Sequence, residues 1–102
     1  SAPQEYIDEQ LEIWRNRRAL MIEGLRSIGF ELWEPEGAFY VFPKCPRATE
    51  FVERLFLDHD VITYLGEWFG ASDHIRLSYA LDEDEIRRGL ERIQTCRREM
   101  GM

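Results

Sequence analysis

His74-Ile75-Arg76-Leu77-Ser78-Tyr79-Ala80 is the stretch on which the reading of this chain turns. Its residues alternate. Ile75, Leu77 and Tyr79 fall on one side of an extended strand, and Arg76, Ser78 and Ala80 fall on the other. One side is suited to a core, while the other carries a lone guanidinium in the middle of an otherwise apolar strand. Two readings of Arg76 are open. A solvated charge on a half-exposed sheet is the ordinary one, because arginine sits mostly at surfaces. The other is an anion clamp, since the guanidinium is a planar fork of donors, always charged, that matches a carboxylate bidentately.

Working outward, Asp82 follows the strand and Glu85 stands three residues on, a capping-box pair that opens a helix with Ile86, Leu90 and Ile93 as its buried stripe. Gly89 within that stripe is expected to permit close packing. Before the strand, residues 66–73 read as a loop and residues 60–64 as a brief strand. Residues 47–59 read as a helix whose apolar side is Phe51, Val52, Leu55 and Phe56. Residues 38–42 are rich in strand formers and are ended by Pro43 and Pro46. With the extended residues 30–33 and the Pro35-Glu36-Gly37 turn they imply a hairpin. Over residues 4–28 the apolar positions Ile7, Leu11, Trp14, Met21, Leu25 and Ile28 recur at helical spacing, with Ile13, Leu20 and Ile22 widening the stripe and Gly29 stopping it. The order helix, strand, strand, helix, strand, strand, helix predicts an α+β fold. The expected architecture is a two-layer sandwich in which a small sheet of about four strands is covered by three helices.

The chain has 102 residues and a mass of 12.2 kDa, room for one domain (1–102) with one core. Hydrophobic residues at 44% and aromatics at 13% are ample for that core, so disorder is not expected. A net charge of -7 argues against nucleic-acid partners and against an anionic membrane surface, which need basic patches. There is no apolar run of membrane-spanning length and no signal-peptide pattern at the start, so a cytoplasmic protein is expected. Cys45 and Cys96 are too few for a disulfide framework and, with His59 and His74, lack metal-ligand spacing. Free thiols and no metal site are expected.

Three blocks stand at telling spacings. The first is Arg17-Arg18, then Gly29-Phe30, then Pro35-Glu36-Gly37-Ala38-Phe39-Tyr40-Val41-Phe42-Pro43. The second ends Gly66-Glu67-Trp68-Phe69-Gly70, and the third is Ile75-Arg76-Leu77-Ser78-Tyr79-Ala80. Taken together these blocks resemble the C-terminal small domain of a fold-type I, pyridoxal-phosphate-dependent aminotransferase of class I/II, closest to the aspartate and aromatic aminotransferase branch. Together with the opening Pro3-Gln4-Glu5-Tyr6 they extend the resemblance over essentially the whole chain. The resemblance implies that Arg76 receives the α-carboxylate of an amino-acid or 2-oxo-acid substrate and that Phe39 lies beside the substrate pocket. For Phe39 an ordinary core position is an equal reading. Departures from the family pattern are Leu65 where a proline is usual, Glu67 and Trp68 after the glycine, Ala19 where an aspartate follows the arginine pair, and a short loop after Gly70.

Transamination needs a lysine for the cofactor, an acid for its ring nitrogen and a cradle for its phosphate. The sole lysine, Lys44, lies between Pro43 and Cys45 at a strand end, with no glycine-rich loop beside it. The resemblance places the missing parts in a large domain that precedes this one. The expectation is therefore a domain without its large cofactor-binding partner, inactive alone, with no cofactor bound by this chain and pyridoxal phosphate present in the intact enzyme. An autonomous binding module and a structural or engineered domain are the other classes the residues allow. Leu65, Trp68 and Phe69 mark a surface for the large domain or for self-association.

Overall fold

The structure is a computed structural model that describes residues 2–33, 40–70 and 73–102. The expected Pro35-Glu36-Gly37 turn and Phe39 lie outside the described residues. Helix α1, Ala2–Ile28, is about 40 Å long at 1.5 Å per residue. Its apolar stripe divides in two. Met21, Ile22 and Leu25 are buried and Trp14, Leu20 and Ile28 pack against the core, whereas Tyr6, Ile7, Leu11 and Ile13, in its N-terminal half, remain exposed.

Gly29 ends α1 with φ +114°, a conformation that an L side chain resists. The Gly29 N–H donates to the carbonyls of Leu25 and Arg26, and the Phe30 N–H also reaches Leu25, so the last carbonyls of the helix are satisfied. Arg97 completes the cap. Its guanidinium donates to the Ile28 and Gly29 carbonyls and lies 5.0 Å from the centre of the Phe30 ring. A cation is well placed there, against the negative end of the helix dipole.

Strand β1, Leu32–Trp33, pairs antiparallel with β2, Tyr40–Pro43. Helix α2, Ala48–His59, follows, and Phe51 and Leu55 are its buried residues. Phe56, expected on the same apolar side, is exposed: burial narrows to the two positions one turn apart that face α3 and the sheet. Strand β3 is Tyr64–Leu65 and β4 is Ile75–Ser78, antiparallel to both β2 and β3. The sheet order is β1-β2-β4-β3, so β4, last of these in sequence, lies between two of the others.

Two expectations, one strand and one loop, are corrected. The strand expected over 60–64 begins only at Tyr64. Asp60 takes left-handed φ 56° as the cap of α2, and the Val61 N–H turns back to the Leu55 carbonyl, leaving this stretch unavailable to a ladder. The loop expected over 66–73 contains a 3-10 turn, Gly66–Phe69, closed by Gly70 at φ 84°. The seventh element is as expected. Helix α3, Glu83–Glu99, starts at Asp82, whose carboxylate accepts the Glu85 N–H at 2.8 Å, and it buries Ile86, Leu90, Ile93 and Cys96.

Among the described residues, then, three helices and an antiparallel sheet make an α+β fold. Helix α3 packs against both α1 and α2. Leu25, Phe51, Leu55, Ile75 and Ile86 are essentially inaccessible in one continuous core, each contributing about 1.5–3 kcal/mol of burial. Phe30 and Phe51 meet edge to face at 6.1 Å, and Trp14 meets Tyr79 at 6.3 Å, fastening α1 to the end of β4. The expectation that Gly89 permits close packing is wrong. A β-carbon there would touch nothing, whereas one at Gly24 on α1 would press into the δ-carbons of Leu90. The close approach of α1 to α3 is thus made by Gly24. Cys45 and Cys96 are both buried and free, and the described residues contain no cluster able to hold a metal ion. No helix among them is long and apolar enough to cross a membrane.

Candidate functional site

Because β4 alternates, Ile75 and Leu77 enter the core and leave Arg76 and Ser78, both half-buried, on the opposite face. The pairing register decides what they meet there. Tyr64 on β3 is directly opposite Arg76, and Tyr40 on β2 is directly opposite Ser78. Side chains directly opposite across a ladder share a face, and diagonal neighbours are within reach of aromatic and long side chains. Tyr40, Tyr64, Arg76 and Ser78 therefore form one patch across three strands.

Within the patch the Arg76 guanidinium carbon lies 4.1 Å from the centre of the Tyr40 ring and 4.6 Å from that of Tyr64. Both distances are well inside the roughly 6 Å range of a cation–π contact, which contributes about 0.5–1 kcal/mol at exposed sites and more where water is excluded. Since β2 and β3 flank β4 on opposite sides, the rings reach the guanidinium from opposite directions. Ser78 is engaged locally, its hydroxyl accepting the Ala80 N–H at 3.0 Å.

The other candidates lie apart from this patch. Lys44 pairs with Glu31 at 4.0 Å, with more than half of its side chain in water. A polar concavity of about 510 Å³ opens at the start of α2 beside Arg47, Glu50, Glu67 and His74, and Arg76 is not among its walls. Arg47 is already used there, paired with Glu50 and donating to the Met100 carbonyl at 3.0 Å. Two site residues, Tyr40 and Tyr64, are absent from the sequence-level candidates. Their only local signal is aromatic residues in strand-like runs, and their meeting at Arg76 depends on strands far apart in sequence.

The profile described as "Aminotransferase class I and II" matches residues 1–93. The chain belongs to the class I and II aminotransferases. It is similar to the aspartate aminotransferase of Rhizobium meliloti, 37% identical over 96% of this chain and 28% of that protein. It is also similar to the aspartate/prephenate aminotransferase of Thermus thermophilus, 39% identical over 89% of this chain and 24% of that one. The structure of the aromatic aminotransferase from Pyrococcus horikoshii superimposes with a TM-score of 0.87 over 99% of this chain and 29% of that one. At 24% identity that likeness speaks for the fold. The chain spans about a quarter of the length of the curated relatives it matches.

In this member of the class I and II aminotransferases, the described residues do not fit pyridoxal phosphate. Lys44 is exposed and held by Glu31. The start of α3, where a phosphate could be seated, is capped by the Asp82 carboxylate and followed by Glu83, Asp84 and Glu85, which repel an anion. Of the departures from the family pattern, Leu65 is half-buried opposite Ile75, and Trp68 lies 66% exposed on the 3-10 turn.

Proposed function

We propose that this chain is the C-terminal small domain of a pyridoxal-phosphate-dependent aminotransferase, residues 1–102 forming one unit, and that Arg76 receives the α-carboxylate of the amino-acid or 2-oxo-acid substrate. The observation that carries this reading is the placement of the Arg76 guanidinium on the outer face of the sheet between Tyr40 and Tyr64. A guanidinium donates from its in-plane edge, from which a carboxylate accepts two parallel hydrogen bonds. The family match supports the substrate class, and the relatives' names point to aspartate or prephenate.

The remainder of the reading follows from the shortfall against the relatives' length. A preceding large domain supplies the cofactor lysine and phosphate seat, and the isolated chain is inactive. Phe39 lies beside the substrate pocket. The fold is a two-layer sandwich of about four strands under three helices, an architecture supported by the β1-β2-β4-β3 order and by the packing of α3 on α1 and α2. The enzyme works in the cytoplasm. In the absence of the large domain, the exposed Trp68 beside Leu65 promotes self-association.

The decisive experiment is kinetic. In the full-length enzyme carrying this segment, Arg76→Ala raises KM and lowers kcat/KM strongly, because positioning of the substrate against the reacting centre is lost. A near-normal kcat/KM would remove Arg76 from the site.

A further inference from the structure

We infer that Tyr40 and Tyr64 are positioning residues of the carboxylate site, acting through Arg76 by fixing the plane of its guanidinium; the inference rests on the carboxylate-binding role proposed above. An arginine side chain has many rotamers, and a flexible clamp loses much of its binding energy in being ordered. Here the guanidinium has a ring on either side in the sheet, at 4.1 Å and 4.6 Å. A guanidinium donates hydrogen bonds only in its own plane, and a ring attracted to the cation does not compete for those donors as an acceptor carboxylate would. Two rings this close also displace water from the guanidinium and strengthen an ion pair formed by it. The geometry is written into the register. Tyr64 is the direct partner of Arg76, and Tyr40, opposite Ser78, is its diagonal neighbour.

A ring is needed for this task, and the phenol hydroxyl is not. Both tyrosines are at least 36% exposed, so their replacement leaves the buried core intact. The experiment uses the 102-residue chain with labelled arginine, succinate as the probe, and the Arg76 Nε–Hε resonance as the readout in nuclear magnetic resonance. Tyr64→Phe is expected to bind succinate within about twofold of the unaltered chain, and Tyr64→Val about fivefold more weakly. Without any ligand, relaxation of the Nε–Hε group is expected to show greater mobility in Tyr64→Val and in Tyr40→Val than in the unaltered chain or Tyr64→Phe.

The outcomes separate the two readings. If Arg76→Leu binds succinate as well as the unaltered chain does, or neither binds, the carboxylate reading falls and this inference falls with it. If Arg76→Leu abolishes binding while Tyr64→Val binds normally and leaves the guanidinium equally ordered, only the positioning role is overturned.

Discussion

Arg76 and Tyr64 are direct partners on adjacent antiparallel strands, so their side chains leave the same face of the sheet, and the guanidinium carbon comes to lie 4.6 Å from the centre of the tyrosine ring. The proposed carboxylate clamp at this position depends on a flat cation. An ammonium keeps the charge but has neither the plane that stacks on a ring nor the fork that meets a carboxylate twice. In the longer aminotransferase proposed to carry this chain, Arg76→Lys is therefore expected to lower kcat/KM by about tenfold or more. Steady-state kinetics with a saturable amino donor would measure it, and a lysine variant with full activity would contradict the role of the planar fork.

The isolated chain is expected to produce no turnover of aspartate with 2-oxoglutarate in the presence of pyridoxal phosphate. Lys44, its sole lysine, is exposed and engaged with Glu31, and the start of α3 is capped by a carboxylate. A coupled assay together with an absorbance titration of the cofactor is sufficient, and measurable turnover would refute the expectation.

Two glycines, Gly24 on α1 and Gly89 on α3, should respond in opposite directions to alanine. Gly89 lies inside α3 with open space where a β-carbon would be, so Gly89→Ala gains about 0.5–1 kcal/mol of helix stability. At Gly24 the same change drives a methyl group into the Leu90 side chain. Overpacking costs about 1–3 kcal/mol, which exceeds the helix gain, so Gly24→Ala should be destabilising. Urea denaturation of the two variants would order them.

The Asp82 carboxylate accepts the Glu85 backbone N–H, and that bond holds its pKa below the ordinary aspartate value of 3.8. A depressed folded-state pKa stabilises the fold above the unfolded value and is lost as pH falls through the folded value. The contribution of Asp82 should therefore be complete above about pH 5 and fade below 3.8. Thermal melts of Asp82→Ala are expected to start lower than those of the unaltered chain at neutral pH and to converge with them in acid.

Burial pushes the Cys45 thiol up to about 12, with the neighbouring Cys96 adding to the shift and Arg97 opposing it. Burial raises Cys96 as well. Since the thiolate is the nucleophile, both residues should resist a maleimide at pH 8 in the folded chain and react once it is unfolded in denaturant. The sign for stability is the reverse of that for Asp82. A thiol whose folded pKa is raised stabilises the fold below the unfolded value, so stability should fall as pH climbs from 9.0 toward about 12. Rapid labelling of Cys45 in the native chain would contradict its burial.

Local patterns account for much of the fold. The Asp82/Glu85 cap, the Gly29 stop and the alternation around Arg76 are each visible within a few neighbouring residues, because each is a short-range demand of backbone geometry or side-chain periodicity. The misread elements are those whose outcome depends on a distant partner. Gly89 carries the same local signal as Gly24, and only the crossing of α1 over α3 selects Gly24 for the close approach. Residues 60–63 carry strand formers, yet the turn-back of Val61 onto Leu55 leaves them outside the ladder. Phe56 belongs to an apolar run and still faces solvent.

The same division runs through the site. Amino-acid order alone was enough to single out Arg76 as a guanidinium on the outward face of a strand and to place the chain among the aminotransferases by its motifs. It could not bring Tyr40, Tyr64 and Arg76 together, because their meeting is a property of the order β2-β4-β3. Strand register is set by long-range pairing and core packing, and a slip of one residue would turn Arg76 inward and leave the tyrosines without a cation.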